Sequence, residues 1–295
     1  MSTQSVVCDV CGQQGRWQHI VQLPPFDVVE CQCCGVQSVK PAPQASDLAS
    51  AYQSFDAGVL ARESFEEYVA CATSILRRER QWLKEPQGQG GTTFLDYGCG
   101  GGHFVKAAVD LGMRAIGLEI DQVSVEFGAS RGLDIRRGDL PGSAEVFAPA
   151  SFDFVRSMHV LEHVPRPFEV LNSLLALLRP GGLLVVGVPD QGSFPARLKI
   201  GLRGLGVKRG EWGYVQPPIH LHGFSETTLA ELGRLLNLEA INIARASPLD
   251  KSAFPSSGSY WSKLTVHKYV YQVGRALGSG GHLLAVYRKR ASCNV

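Results

Sequence analysis

No stretch of this chain runs about 20 residues without a charge, glycine or proline to break it, so no membrane-spanning helix is expected. The first ten residues are polar and lack the apolar run of a secretory signal, and a cytoplasmic protein is expected. Charge of one sign is missing as well: 29 basic against 27 acidic side chains leave +2. Nucleic-acid binders usually show a basic excess or a basic stripe, so a nucleic-acid partner is not expected. Basic clusters at 199–209 and 288–290 read as local surface patches before phosphate contacts, and residues 1–40 hold only Arg16 and Lys40. Internal repeats are absent, and nothing in the pattern sets an oligomeric state. Charged residues are only 19% of the chain and apolar ones 44%, which favours a packed core over disorder. A length of 295 residues suits one large domain with a small module attached.

Of eight cysteines, five fall within residues 1–40. In a reducing compartment metal binding is a commoner fate for them than disulfide formation. Cys8-Asp9-Val10-Cys11-Gly12 and Cys31-Gln32-Cys33-Cys34-Gly35 form two C-x₂-C-G knuckles, 19 residues apart. That spacing lies in the zinc-site window. Each knuckle puts two thiolates on a tight turn, and Cys8, Cys11, Cys31 and Cys34 together make a closed tetrahedral shell for a structural Zn²⁺. So short a segment has little core, and the metal would hold it folded. Cys33 leaves the register ambiguous, although Cys34 fits the C-x₂-C-G spacing. The competing reading is a loop of reduced, metal-free cysteines.

Three regions separate: a zinc-ribbon-like module at 1–40, a helical linker or cofactor lid at 41–91, and a catalytic domain at 92–295 with an insertion at 190–224. The middle region opens on Pro41-Ala42-Pro43, becomes helix-compatible over 64–83 and ends in a Gly- and Gln-rich loop. The last region alternates short apolar runs with amphipathic segments, the pattern of βα units around a parallel sheet. Strands are expected at 93–96, 115–119, 135–137, 152–157, 183–188, 239–245 and 282–288. Helices are expected at 103–111, 122–130 and 167–178, the last ended by Gly181-Gly182. Ser225 should cap a further helix through residue 236. The insertion is rich in glycine, proline and aromatics and lies where substrate lids often sit.

The most informative segment is Phe94-Leu95-Asp96-Tyr97-Gly98-Cys99-Gly100-Gly101-Gly102: an apolar strand, an acid, then glycines leading into a helix. Glycines let a backbone approach a ligand closely, and the helix start offers spare N–H groups. An ordinary glycine turn and an NAD site are the rival readings. The NAD fingerprint needs glycine where this chain has His103. A carboxylate at Asp96 disfavours a pyrophosphate and suits a cofactor with an ammonium and a sulfonium, namely S-adenosylmethionine. Glu119, at the tip of the second strand, can accept from both ribose hydroxyls, whereas Asp121 caps the next helix. Asp139 can accept from the adenine amine with Leu140 against the ring, or can be a turn aspartate.

Together with Phe152–Val155, Val160-Leu161-Glu162-His163-Val164 and Leu178-Arg179-Pro180-Gly181-Gly182, these segments resemble the class I S-adenosylmethionine-dependent methyltransferases. The later segments look like the subgroup that holds ubiquinone-type O-methyltransferases and many sugar and natural-product methyltransferases. Some bacterial sugar C-methyltransferases carry a similar zinc module. The resemblance implies an α/β fold: a Rossmann-like, seven-stranded, mostly parallel sheet with helices on both faces. It also implies cofactor contacts at Asp96, Gly98, Gly100, Glu119, Asp139 and Leu140, with Gly102 closing the loop. Glu119 departs from the commoner aspartate. The resemblance leaves the acceptor open, since one fold serves many.

Methyl transfer is an in-line displacement in which the enzyme aligns the nucleophile and excludes water; a hydroxyl or acidic C–H acceptor also needs a base. Ligands in open α/β sheets bind beyond the carboxyl ends of the strands. His159 and His163 follow the fourth strand, so His163 is a candidate base, or else a loop histidine. His220 matches a histidine that precedes the Phe-Ser helix start in the same subgroup, with Trp212 and Tyr214 as nearby walls. Tyr52 and Tyr68 are candidates to close over the cofactor. His159-x-x-Glu162-His163 also spells a metalloprotease pattern, which requires a helix. A small-molecule methyltransferase is the expected function. The alternatives are an RNA methyltransferase gripping nucleic acid with its zinc module, a non-catalytic zinc-containing interaction protein and an NAD-dependent oxidoreductase.

Overall fold

The structure, a computed structural model, describes residues 6–44, 65–83, 91–206, 210–246 and 281–291, with 273 and 279 singly. Tyr52, residues 84–90 of the linker and residues 207–209 of the first basic cluster lie outside the described residues. In chain order the strands are β1 (Val6–Val7), β2 (Gln14–Gly15), β3 (Trp17–Leu23), β4 (Phe26–Cys31), β5 (Gln37–Lys40), β6 (Thr93–Tyr97), β7 (Arg114–Glu119), β8 (Ile135–Arg137), β9 (Phe152–Met158), β10 (Leu178–Pro189), β11 (His222–Gly223), β12 (Leu238–Ala246) and β13 (His282–Lys289). The helices are α1 (Phe65–Glu79), α2 (His103–Asp110), α3 (Gln122–Ala129), α4 (Pro167–Leu177), α5 (Phe194–Gly204) and α6 (Glu226–Leu235). Among the described residues no helix is long and apolar enough to cross a membrane.

The main sheet has seven strands in the order β12-β13-β10-β9-β6-β7-β8, with β13 alone antiparallel to its neighbours. Its central strands are apolar on both faces because helices cover both. Successive residues then sort by face. Phe94, Phe154, Leu183 and Val185 join one core with Leu76 of α1 and Val105 of α2. Leu95, Val155, Leu184 and Val186 join the other with Leu174 of α4 and Leu229 of α6. The chain runs outward from β6 to β7 and β8, then returns to start β9 on the other side of β6. That reversal opens a crevice at the carboxyl ends of β6 and β9, the place where such sheets bind ligands.

The expected strands and helices form within a few residues of their predicted bounds, but α4 ends differently from expectation. It stops at Leu177; Leu178 is already extended and pairs with Phe152. Gly181-Gly182 therefore does not cap it. Pro180 pushes Arg179 away from helical dihedrals, and Leu178, fully buried, is drawn into the core instead. The glycine pair turns the chain inside the irregular start of β10, where a side chain on Gly182 would crowd the carbonyl of Asp153.

The cysteine-rich segment is not a separate bead. Its sheet, β11-β5-β4-β3, takes its last strand from the 190–224 insertion. Cys8, Cys11, Cys31, Cys34, Val10 and Val36 share the core that holds α4 and α6, and the Phe168 amide of α4 donates to the carbonyl of Asp9.

Candidate active site

Between β6 and α2 the chain turns through Gly98, Gly100 and Gly102, all at positive φ (72°, 52° and 86°). The three glycines do different jobs. A Cβ on Gly98 would lie 2.3 Å from Val160 Cγ2, so this glycine lets the loop after β9 pack against the cradle. A Cβ on Gly102 would lie 2.6 Å from Ile135 Cδ1. Gly102, grouped by its sequence with the cofactor contacts, thus faces the core and serves the packing of α2 on β8. A Cβ on Gly100 would meet nothing within 4 Å. Bare backbone beside open space is what a closely held ligand requires.

Acidic groups ring this cradle. Glu119 Oε2 accepts from the Gly100 amide at 2.8 Å, and Oε1 from the amides of Ile120 and Asp121 at 2.8 and 3.0 Å. A carboxylate offers about four acceptor positions, so capacity remains for a ligand's hydroxyls. Asp121 caps α3 by accepting from the Ser124 amide at 2.8 Å. Asp139 accepts from the Tyr97 hydroxyl at 2.5 Å and the Leu140 amide at 2.8 Å, and Leu140 is buried beside it. Asp96, 3% exposed, lies across from Arg156 in the sheet register. Burial pushes its carboxyl up to about 7, with the Arg156 charge opposing. Tyr68 of α1 places its ring 5.0 Å from that of His103, at the mouth of α2.

Beyond β9 a cluster of histidines surrounds one carboxylate. His159, at a φ of 55°, turns the chain sharply, its amide donating to the Gly187 carbonyl. Residues 161–163 form a turn and not a helix, so the metalloprotease reading falls. Glu162 is 1% exposed. Its Oε1 lies 3.2 Å from His159 Nδ1 and 3.9 Å from His163 Nε2, while Oε2 is buried without a hydrogen-bond partner among the described residues. Burial works to raise this carboxyl, but the His159 hydrogen bond and the two histidine charges hold it below the usual carboxylate range.

The ring of His163 meets the Ile219 carbonyl through Nδ1 at 3.1 Å. A carbonyl only accepts, so Nδ1 carries the proton and Nε2 is the basic nitrogen turned toward Glu162. His220 packs edge-on against it, ring centroids 4.7 Å apart, and its Nδ1 donates to the Tyr214 carbonyl at 2.9 Å. Burial, then the His163 charge, lowers His220. His282, 4.6 Å from the His159 ring, is pushed down to about 3 by burial. Glu162, His163 and His220 offer ligand atoms within 4.8 Å of one another, a spacing within reach of a divalent cation. The structure thus brings His163, His220 and the Trp212–Tyr214 segment together, and Val160 joins this loop to the cradle. In the sequence Glu162 stands within the family-like Val160–Val164 segment and the protease pattern but is given no role of its own, and His282 does not stand out; its position in a late strand brings it to the cluster.

At the other site the Sγ atoms of Cys8, Cys11, Cys31 and Cys34 lie within 4.8 Å of one another, all four residues buried. The two knuckles close alike: the Gly12 amide donates to the Cys8 carbonyl and the Gly35 amide to the Cys31 carbonyl, each at 2.8 Å. Hydrogen bonding with Cys11 holds the Cys8 and Cys34 thiols above their ordinary range, and hydrogen bonds from Cys11 first hold Cys31 below it. Cys33 is exposed and outside the cluster.

A family model described as a methyltransferase domain matches residues 65–243, more than half of the chain. An uncharacterized methyltransferase of Mycobacterium sp. (strain KMS) is 38% identical over 97 residues, covering 33% of this chain and 38% of that protein. One from Mycobacterium leprae (strain TN) is 31% identical over 177 residues, covering 58% of this chain and 64% of its own length. A ubiquinone biosynthesis O-methyltransferase of Caulobacter sp. (strain K31) is 34% identical over 128 residues, covering 39% and 50%. The matched region thus spans less than two thirds of each relative. Among solved structures, a SAM-dependent methyltransferase from Archaeoglobus fulgidus superposes with a TM-score of 0.53 at 18% identity, over 79% of this chain and all of that one. The 1,6-didemethyltoxoflavin-N1-methyltransferase of Burkholderia thailandensis gives 0.51 at 18% identity, over 93% of this chain and all of that one. These two likenesses concern the fold.

Proposed function

Because the chain belongs to the methyltransferase-domain family, we propose that it moves the methyl group of S-adenosylmethionine to a small-molecule acceptor, a sugar, a polyketide or a quinone-like phenol, at oxygen or carbon. The observation that carries this reading is the open space over Gly100, whose amide is held by Glu119, with buried Asp96 at the end of the strand that leads into the same loop. The residues present fit the cofactor: a bare cradle, an acceptor for a diol at Glu119, Asp139 with Leu140 for an adenine, and a buried acid at Asp96 for an ammonium. When bound, S-adenosylmethionine supplies a methyl carbon already attached to a good leaving group.

The chain's own residues supply alignment and proton handling. Glu119 both anchors the Gly100 amide and takes hydroxyl groups, so ligand position and loop shape are coupled. His163 Nε2, 3.9 Å from buried Glu162 Oε1, removes the acceptor's proton. His220, lowered by burial, is the weaker base and orients the acceptor. Trp212 and Tyr214 exclude water. The name of the Caulobacter relative, an O-methyltransferase of ubiquinone biosynthesis, supports an oxygen acceptor. The four buried thiols fit a tetrahedral Zn²⁺ with no open position, a structural role.

The test is calorimetric titration of the purified protein with S-adenosylhomocysteine, followed by labelled S-adenosylmethionine with fractionated cell extract. Saturable binding and label in a small molecule are expected. A chain that binds neither compound is not this enzyme. His163→Ala at full turnover removes that residue from the base role.

A further inference from the structure

We propose that Gln37 and Ser38 of the cysteine module are positioning residues for the acceptor side of the catalytic site, so that the module forms one wall of that site. This rests on the reading of His163 and His220 given above. A structural zinc site needs only its four thiolates and their turns. The edge of the module that faces the methyltransferase domain carries more than that: two adjacent polar side chains whose hydrogen bonds lead to the two candidate catalytic histidines.

The Ser38 route is fixed by hydrogen-bond logic. β11 adds to the edge of β5, with His222 opposite Ser38 and Gly223 opposite Gln37. Ser38 and His222 are 1% and 4% exposed. The His222 ring bridges Ser38 Oγ at 2.9 Å through Nδ1 and the Val164 carbonyl at 3.1 Å through Nε2. The carbonyl only accepts, so Nε2 carries the proton and Nδ1 accepts from the serine hydroxyl. Burial holds this ring down at about 4, which keeps that neutral tautomer through the physiological range. The same segment is bound to the His163 loop by its backbone. The amides of Leu221 and His222 donate to the Glu162 carbonyl at 2.7 and 3.2 Å, and His163 Nδ1 donates to the Ile219 carbonyl. Four hydrogen bonds thus join 219–222 to 162–164, and Ser38 orients the ring that makes one of them.

The Gln37 route reaches His220. Gln37 Oε1 accepts from Trp212 Nε1 at 3.0 Å and from Gln191 Nε2 at 2.9 Å, while its own amide donates to Glu30 at 3.1 Å. Gln191 Oε1 then accepts from the Tyr214 amide at 2.8 Å, and the Tyr214 carbonyl accepts from His220 Nδ1 at 2.9 Å. Each amide is used at both ends, so a change at Gln37 propagates along the chain of bonds. Buried polar networks of this kind specify one geometry when every member is satisfied.

The experiment uses the full-length chain with ¹⁵N-labelled histidine and tryptophan, followed by NMR of the ring and indole nitrogens, with S-adenosylhomocysteine affinity measured in parallel. Ser38→Ala is expected to shift the ring signals of His163 and His220, and Gln37→Leu those of Trp212 and His220, with S-adenosylhomocysteine affinity unchanged in both. Ser38→Thr, which keeps the hydroxyl, restores the His163 signals. Val39→Ala, the next residue along β5 and in the core of the small sheet, lowers the melting temperature without moving either histidine. The proposal is overturned if both polar variants leave His163 and His220 unmoved, or if Val39→Ala moves them equally. Loss of the methyltransferase reading looks different: the wild-type chain then fails to bind S-adenosylhomocysteine while the nitrogen signals still report on the network.

Discussion

Alanine at position 100 separates the cradle from the fold that carries it. Gly100 and Gly112 both sit at positive φ, 52° and 78°, and at each a new Cβ would meet no atom within 4 Å. Only Gly100 of the two is held by Glu119, through its amide; Gly112 lies in the turn before β7. For an L-residue the left-handed conformation costs about 1 kcal/mol in either place. For a protein of this size that lowers the melting temperature by roughly 2–4 °C in both variants. The cofactor tells them apart. A methyl group forced into a closely packed contact costs about 2 kcal/mol, which weakens binding roughly thirtyfold. Calorimetry with S-adenosylhomocysteine, alongside thermal melts, should find that loss in Gly100→Ala and none in Gly112→Ala. Wild-type affinity in Gly100→Ala would mean the cradle lies elsewhere. Equal losses in both variants would make strain, not occlusion, the cause.

The remaining predictions concern charge, burial and metal. Asp96 titrates at about 7 when folded, above its ordinary 3.8, so below pH 7 it is protonated in the free protein. A bound ammonium favours the ionised form, so cofactor binding releases a proton and affinity falls as pH drops from about 8 to 6; Asp96→Asn should flatten that slope, and an unchanged slope would sink the assignment. The stability linkage has a definite sign: the folded state holds the Asp96 proton more tightly than the unfolded chain, so this contribution is present below the ordinary value and lost as pH rises through about 7. Arg156 pairs with buried Glu79 at 3.3 Å and lies over the Phe104 ring. Arg156→Leu should cost about 3–5 kcal/mol in denaturant unfolding by stranding that carboxylate, and adding Glu79→Leu should recover most of it. The protein should carry one zinc per chain by elemental analysis, lost in Cys34→Ser and retained in Cys33→Ser; retention in the first or loss in the second refutes the ligand set.

Much of this molecule is written locally and was legible from residue order alone. Strands at 93–97 and 135–137, the Ser225 and Asp121 caps, and the two cysteine turns follow from alternation, side-chain acceptors and glycine, all acting within a few residues. The cradle was visible for the same reason, as an acid and glycines in one short loop. Three things were not. Gly98, Gly100 and Gly102 look equivalent in sequence, and only the neighbours Val160 and Ile135 make two of them packing residues and leave one open. Glu162 read as a member of a protease pattern until the turn at 161–163 and a histidine from β13 placed it at the centre of the imidazole cluster. The cysteine module read as an appendage until β11 completed its sheet. The order of residues by itself determined which elements form, where the glycine loop turns and that two cysteine knuckles form, because those outcomes depend on short-range hydrogen bonding and sterics; that Cys33 stays outside the cluster was decided by the fold. Which glycine faces a ligand, which carboxylate is buried among histidines and what the module leans on were decided only in three dimensions, because burial and partner choice belong to residues far apart along the chain.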